Sequence, residues 1–137
     1  MNLFRQQAYV AGQWVDGAET LTVTNPATGE VVGIVPSLGA QETRQAIEKA
    51  AEVQGAWAAC TAKDRAGVLR RWFELMTEHS EALARLMTTE QGKPLAEARG
   101  EVAYAASFAE WFAEEAKRTY GHTVPAHKTD ARIVVTQ

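Results

Sequence analysis

The stretch Leu95–Gly121, LAEARGEVAYAASFAEWFAEEAKRTYG, decides the fold of this chain. It predicts one long helix that runs to Tyr120 and ends at Gly121, because glycine terminates helices readily. The middle of that helix, from Val102 to Ala109, is apolar on nearly every side. Such a helix has to be covered on several faces, and the elements around it look too few to do so. Working back along the chain, three further helices precede it. Thr43 to about Trp57 carries Ala46, Ile47, Ala50, Ala51 and Val53 at helical spacing, with Gly55 weakening its end. Thr61, with Asp64 three residues on, resembles a capping start. The helix it opens presents Val68, Leu69, Trp72, Phe73 and Met76, the best amphipathic stripe in the chain. Ser80 reads as the N-cap of a helix bearing Leu83, Leu86 and Met87, which Gln91-Gly92-Lys93-Pro94 stops.

Before about Pro36 the texture differs, being rich in β-branched residues and turn formers. Ala8–Ala11 and Gln13–Val15 flank Gly12 as a tight hairpin. Leu21–Thr24 leads into the turn Asn25-Pro26-Ala27-Thr28-Gly29-Glu30, and Val31–Val35 follows as a strand. At the other end Ala131–Thr136 reads as a strand without turn or partner. The expected class is therefore α/β, with residues 1–36 β-rich, 40–121 helical and 122–137 returning to strand.

A length of 137 residues is the size of one domain. The formal net charge of −3 comes without a basic stripe, which argues against an electrostatic nucleic-acid binder. The longest apolar stretch, Val102–Ala113, is broken by Ser107 and Glu110 and falls short of the ~20 residues of a membrane span. The opening MNLFRQQAYVAG has no apolar core of a secretory signal, so a cytoplasmic chain is expected. Its one cysteine, Cys60, leaves no internal disulfide and no cysteine-dominated zinc site.

Residue types alone do not assemble an active site. No two glycines are separated by a single residue, so the GxGxxG loop is absent, as are the GxxxxGK[ST], GxSxG and HExxH patterns. Cys60 could be a nucleophile, but only Lys63 stands near it in sequence and no histidine does. A structural thiol is the plainer reading. His122 and His127 could ligate a metal, yet a third ligand is missing and surface histidines explain them as well. Glu110, Glu114 and Glu115 could form an acid–base pair, although Lys117 and Arg118 within helical reach favour an ion-paired face. Glu97, Arg99 and Glu101 read the same way. The tryptophans Trp14, Trp57, Trp72 and Trp111 read as core or interface anchors.

Three segments in order then carry a resemblance: Tyr9-Val10-Ala11-Gly12-Gln13-Trp14-Val15, Thr24-Asn25-Pro26-Ala27-Thr28-Gly29-Glu30-Val31, and Glu90-Gln91-Gly92-Lys93-Pro94. Together they resemble the opening of an NAD(P)-dependent aldehyde dehydrogenase. The helix from Glu97 through Tyr104 and on from Phe108 to Gly121 is similar to the succinate-semialdehyde dehydrogenase branch. The resemblance implies a portion that precedes the cofactor loop, the general-base glutamate, the catalytic cysteine and its oxyanion-hole asparagine. In a complete relative the cysteine thiolate attacks the aldehyde, hydride passes to NAD(P)+, and water hydrolyses the thioester. Cys60 does not match that cysteine's motif. The chain is thus expected to be an N-terminal segment, incomplete relative to the family fold, inactive alone and binding neither NAD nor NADP by itself. Its partners would be the remainder of the dehydrogenase or other subunits of a homo-oligomer, the strand region 122–137 opening the oligomerisation strands. Gly100, Tyr104, Phe108 and Trp111 become candidate neighbours of the substrate tunnel. Val23 and Glu90 become candidate ligands of a monovalent cation, through carbonyl and carboxylate oxygen. Two alternatives stay open: a free-standing helical interaction module, and a chain that complements a separately encoded remainder.

Overall fold

The computed structural model describes residues 3–136. Among these residues are three antiparallel strand pairs and four α-helices: β1 (Ala8–Val10), β2 (Gln13–Val15), β3 (Glu19–Thr24), β4 (Val31–Ser37), α1 (Ala40–Ala59), α2 (Ala62–Glu78), α3 (Ser80–Gln91), α4 (Leu95–Glu115), β5 (His122–Pro125) and β6 (Arg132–Val135). This is the mixed α/β arrangement expected.

The first hairpin follows from its turn. Ala11 and Gly12 have φ of 52° and 80°, the two positive values that a two-residue turn requires to match strand twist. Tyr9 then stands opposite Trp14 with ring centroids 5.0 Å apart. In the second pair, Asn25 Oδ1 accepts the Ala27 N–H at 2.9 Å, and Gly29, at φ 75°, closes the turn. The ladder slips between Val23, which faces Gly33, and Thr24, which faces Val31, leaving a bulge at Val32.

The helices extend or shift the sequence reading at several of their ends. α1 begins at Ala40 rather than Thr43, because the Glu42 carboxylate accepts the Gly39 N–H at 2.9 Å and stabilises the start. It also runs past Gly55. α2 opens as expected, with Thr61 Oγ1 accepting the Asp64 N–H at 3.2 Å. Ser80 is not an N-cap: α2 persists to Glu78, His79 alone joins the two helices, and Ser80 is already the first residue of α3. α3 ends at Gly92, in the left-handed region at φ 76°. There a Cβ would lie 2.7 Å from Pro26 Cγ, so the close approach needs glycine twice over.

α4 stops at Glu115 and tightens into a 3-10 turn, Ala116–Arg118, instead of continuing to Tyr120. Gly121 therefore does not cap it. A Cβ on Gly121 would run into the Val135 carbonyl, so this glycine makes room for β6. The expectation of an unpartnered last strand is likewise corrected, since β6 pairs with β5 from His122↔Val135 to Pro125↔Arg132.

The core lies where α4 rests on α2 and α3. Its buried residues are Ala66 of α2, Ala84 of α3, and Ala98, Val102, Ala106, Ala109 and Ala113 of α4, with Leu83, Met87 and Leu95 packed beside them. Small side chains let the three helices approach closely. The stripe on α2 splits: Leu69, Phe73 and Met76 turn partly inward, whereas Val68 and Trp72 face outward. None of the four tryptophans enters the core.

Candidate functional site

α4 carries two stripes on opposite sides. Ala98, Val102, Ala106, Ala109 and Ala113 form the buried seam. Gly100, Tyr104, Phe108 and Trp111 recur at the same three- and four-residue spacing but start two residues later. Two residues turn a helix by about 200°, so this second stripe faces directly away from the seam. The four residues singled out from sequence are thus brought onto one face. Tyr104 is 63% exposed, Phe108 46% and Trp111 65%, so the described residues leave this face largely uncovered. Their geometry is nevertheless ordered. The Tyr104 and Phe108 rings meet edge to face at 75° with centroids 4.8 Å apart, a favoured aromatic arrangement. A Cβ at Gly100 would meet nothing within 4 Å. With Phe112 and Arg118, the aromatic residues line a trough of about 980 Å³ along the helix end. Such a wall can exclude water and guide an apolar chain, but it carries no thiol or imidazole to do chemistry.

The charged residues of α4 other than Glu97 are ion-paired, Glu114 and Glu115 with the partners the sequence suggested and Glu110 with a different one. Glu110 meets Arg70 of α2 at 3.2 Å, Glu114 meets Lys117 at 3.2 Å and Glu115 meets Arg118 at 2.8 Å. Arg99 grips Glu81 of α3 with two bonds of 2.8 and 3.0 Å, while Arg85 meets the same carboxylate at 2.8 Å. The Arg99 hydrogen bond holds the Glu81 carboxyl below the usual carboxylate value, and Arg99 is raised in return. Glu101 pairs with Lys93 beside Gly100. The inter-helical partners Arg70 and Glu81 escaped the sequence reading, because periodicity reports neighbours three or four residues away and not those on another helix.

The remaining candidates lie apart from this face. Cys60 ends α1, exposed; its thiol donates to the Ala56 carbonyl at 3.4 Å, and Arg65 donates to the Cys60 carbonyl at 3.2 Å. Both contacts are structural. His122 lies on β5 and His127 in the loop after it, and among the described residues no group of three or more His, Cys, Asp or Glu is placed to hold a metal. Val23 sits half-buried on β3 opposite the bulge in β4, and Glu90 is exposed in the last turn of α3. The Pro26–Gly92 approach draws the α3 end against the turn that follows β3. No helix among the described residues is long and apolar enough to cross a membrane.

Residues 14–137 match the aldehyde dehydrogenase family. The chain is 65% identical over 135 residues to a glutarate-semialdehyde dehydrogenase of Pseudomonas putida, which covers 97% of this chain and 28% of that protein. It is 60% identical to a succinate-semialdehyde dehydrogenase of Escherichia coli whose name specifies NADP(+), covering 98% and 28%. Among solved structures, an NADP-dependent enzyme of E. coli superposes with a TM-score of 0.89 at 60% identity, over 98% of this chain and 28% of that one. A succinate-semialdehyde dehydrogenase from Burkholderia pseudomallei gives 0.86 at 55% identity, over 95% and 27%. The chain thus spans little more than a quarter of the length of the relatives it matches. With the family matched along almost all of the described fold, this chain belongs to the aldehyde dehydrogenase family.

Proposed function

We propose that this chain forms the opening portion of an enzyme that oxidises a short carboxylated aldehyde, succinate semialdehyde, with NAD(P)+, and that Gly100, Tyr104, Phe108 and Trp111 border the path the aldehyde takes. The observation that carries the reading is an ordered aromatic stripe left uncovered on a rigid helix, in a chain similar over 97–98% of its length to semialdehyde dehydrogenases. The chain's own part is to exclude water and orient the apolar body of the substrate. The nucleophile, the base and the dinucleotide site are assigned to the remaining length of the relatives. The glycine pattern here offers no loop to cradle a pyrophosphate, so no step is assigned to a dinucleotide on this chain. The whole enzyme is expected to be cytoplasmic and homo-oligomeric, with the β5–β6 pair in the subunit contact. Val23 carbonyl, beside an interrupted ladder, and Glu90 carboxylate, in the last turn of α3, would supply oxygen ligands to a monovalent cation.

The test joins residues 1–137 to the remaining portion of the E. coli relative and measures kinetics with succinate semialdehyde. Tyr104→Ala and Phe108→Ala should raise KM several-fold with the thermal midpoint of the fusion little changed. Unchanged KM in both variants sinks the tunnel role. The unfused chain should show no turnover, and turnover that disappears with Cys60→Ala would overturn its assignment as inactive. The 65% identity to a glutarate-semialdehyde dehydrogenase supports a second substrate, one methylene longer. Comparing kcat/KM for the two semialdehydes on the fusion decides between them. The uncovered stripe also supports a second mode of action, in which the chain complements a separately made remainder. Recovery of activity on mixing the two purified pieces would establish it, and an independent interaction module would instead behave as a cooperative monomer with no such recovery.

A further inference from the structure

The seam that seats α4 discriminates poorly between rotations of the helix. Its buried residues are four alanines and one valine, and no large side chain in the described chain is fully buried. Next to the seam, on one flank, lie Ala105 and Phe112, both apolar and both exposed. A roll of α4 toward that flank would keep an apolar surface at the contact, Ala105 and Phe112 moving in as the seam alanines move out. The large side chains beside the seam, Leu83, Met87, Leu95, Phe73 and Met76, are only partly buried, so their interlocking, the usual device that fixes a helix about its axis, is incomplete here.

The opposite flank carries the directed contacts. Arg99 and Glu110 stand eleven residues apart, which places them on the same side of α4 and about 16 Å apart along its axis. Arg99 reaches α3 through two bonds to Glu81, whose carboxylate Arg85 also holds. Glu110 reaches α2 through Arg70, which Glu74 steadies at 3.3 Å. Between the two pairs runs a groove floored by Phe73, Met76, Val102 and Ala106. The Lys93–Glu101 pair lies on the other flank, but Lys93 belongs to the connection leading into α4 and does not tie it to α2 or α3.

We propose that the Arg99–Glu81 and Arg70–Glu110 pairs are a positioning device that fixes the roll of α4 about its own axis, and with it the direction in which Tyr104, Phe108 and Trp111 face. Exposed ion pairs contribute little to stability. Here the consequence is orientation: two ion pairs to two helices, three turns apart, resist rotation in one sense. The significance for substrate rests on the tunnel reading given above; the roll itself does not.

The test therefore avoids catalysis. In a Cys60→Ser background, Ala103→Cys and Ala105→Cys place single thiols on the two flanks of the seam, and their rates of reaction with a soluble thiol reagent are measured. Adding Arg70→Glu and Arg99→Glu opposes each partner with like charge. Ala103→Cys should then react faster and Ala105→Cys slower, each by roughly threefold, the scale on which two exposed ion pairs bias a two-position equilibrium. Glu81→Arg with Glu110→Arg completes the charge reversal and, with Arg85→Glu and Glu74→Arg to keep the flanking partners opposite in sign, should restore both rates. General loosening would instead speed both thiols, and a seam sufficient by itself would leave both unchanged; either result overturns the proposal, as does failure of the reversal to restore. If the glutamate variants lose their helical circular dichroism, Arg70→Gln with Arg99→Gln is read by the same opposed rates. An opposed change together with unchanged KM for tunnel-wall variants in the fusion would retain the positioning device and remove the substrate reading.

Discussion

α1 and α4 are helices of nearly equal length, 20 and 21 residues, with opposite fates. α4 buries five residues against two neighbours, whereas α1 buries none. Ile47 and Val53 of α1 are 64% and 61% exposed, even though their spacing is that of a packed face. The difference teaches that apolar periodicity declares a helix and a face, while what covers the face depends on residues elsewhere. α4 succeeds with alanines because its partners also present alanine, Ala66 and Ala84, at the crossing. α1 has larger apolar residues and no such partner within the described chain.

The largest effect that would sharpen this contrast is expected at the seam. Ala98 is fully buried, so Ala98→Leu forces extra methylenes between α3 and α4 and should destabilise by about 1–3 kcal/mol. Ile47→Ala in α1 should change stability by less than about 0.5 kcal/mol, since an exposed side chain away from special features leaves little to lose. Paired urea titrations measure both. Equal costs would mean that α1 packs in solution and would break the comparison.

Second in size is Gly92→Ala, at the junction that leads into α4. The left-handed backbone there strains any Cβ, and Pro26 occupies the space it would take. A loss of roughly 1–3 kcal/mol is expected, and Pro26→Ala should relieve part of it if the clash is real. Thr61→Ala, removing the cap of α2, ranks next at about 1 kcal/mol, because the Asp64 N–H loses its acceptor. An unchanged thermal midpoint for that variant would show that water replaces the cap.

The sequence made local chemistry legible wherever it was self-contained. The Ala11-Gly12 turn, the Asn25–Glu30 turn, the Thr61 cap and the Gly92 stop all involve neighbours within a few residues, and each is found. What it hid is long-range. β6 reads as solitary because its partner, His122–Pro125, is short, polar at one end and closed by proline. Gly121 reads as a helix stop because its true neighbour, the Val135 carbonyl, lies fourteen residues on. The site divides in the same way. Gly100, Tyr104, Phe108 and Trp111 are reached through the family resemblance and the helix then sets them on one face, but the Glu81 and Arg70 contacts that flank the opposite seam required the fold.

The smallest expected effect compares one ion pair from each helix. Glu81 titrates below the ordinary carboxylate value because Arg99 donates to it. A depressed acid stabilises the fold above its unfolded pKa and loses that contribution as pH falls through the folded one. Lys49 of α1 is raised by its hydrogen bond to Glu52, so its contribution is complete below the ordinary lysine value and disappears as pH rises through the folded one. The two windows lie at opposite ends of the pH scale, and both pairs are exposed, so each contributes little to stability. Their consequences differ because Glu81 joins two helices and Lys49 only supports its own. Between neutral pH and about pH 3, Glu81→Gln should lower the thermal midpoint at neutral pH and flatten its decline in acid. Lys49→Gln should leave the midpoint unchanged and remove only a small alkaline loss of helix signal above about pH 10. A midpoint that responds to Lys49→Gln as strongly as to Glu81→Gln would mean that α1 is coupled to the rest of the fold after all.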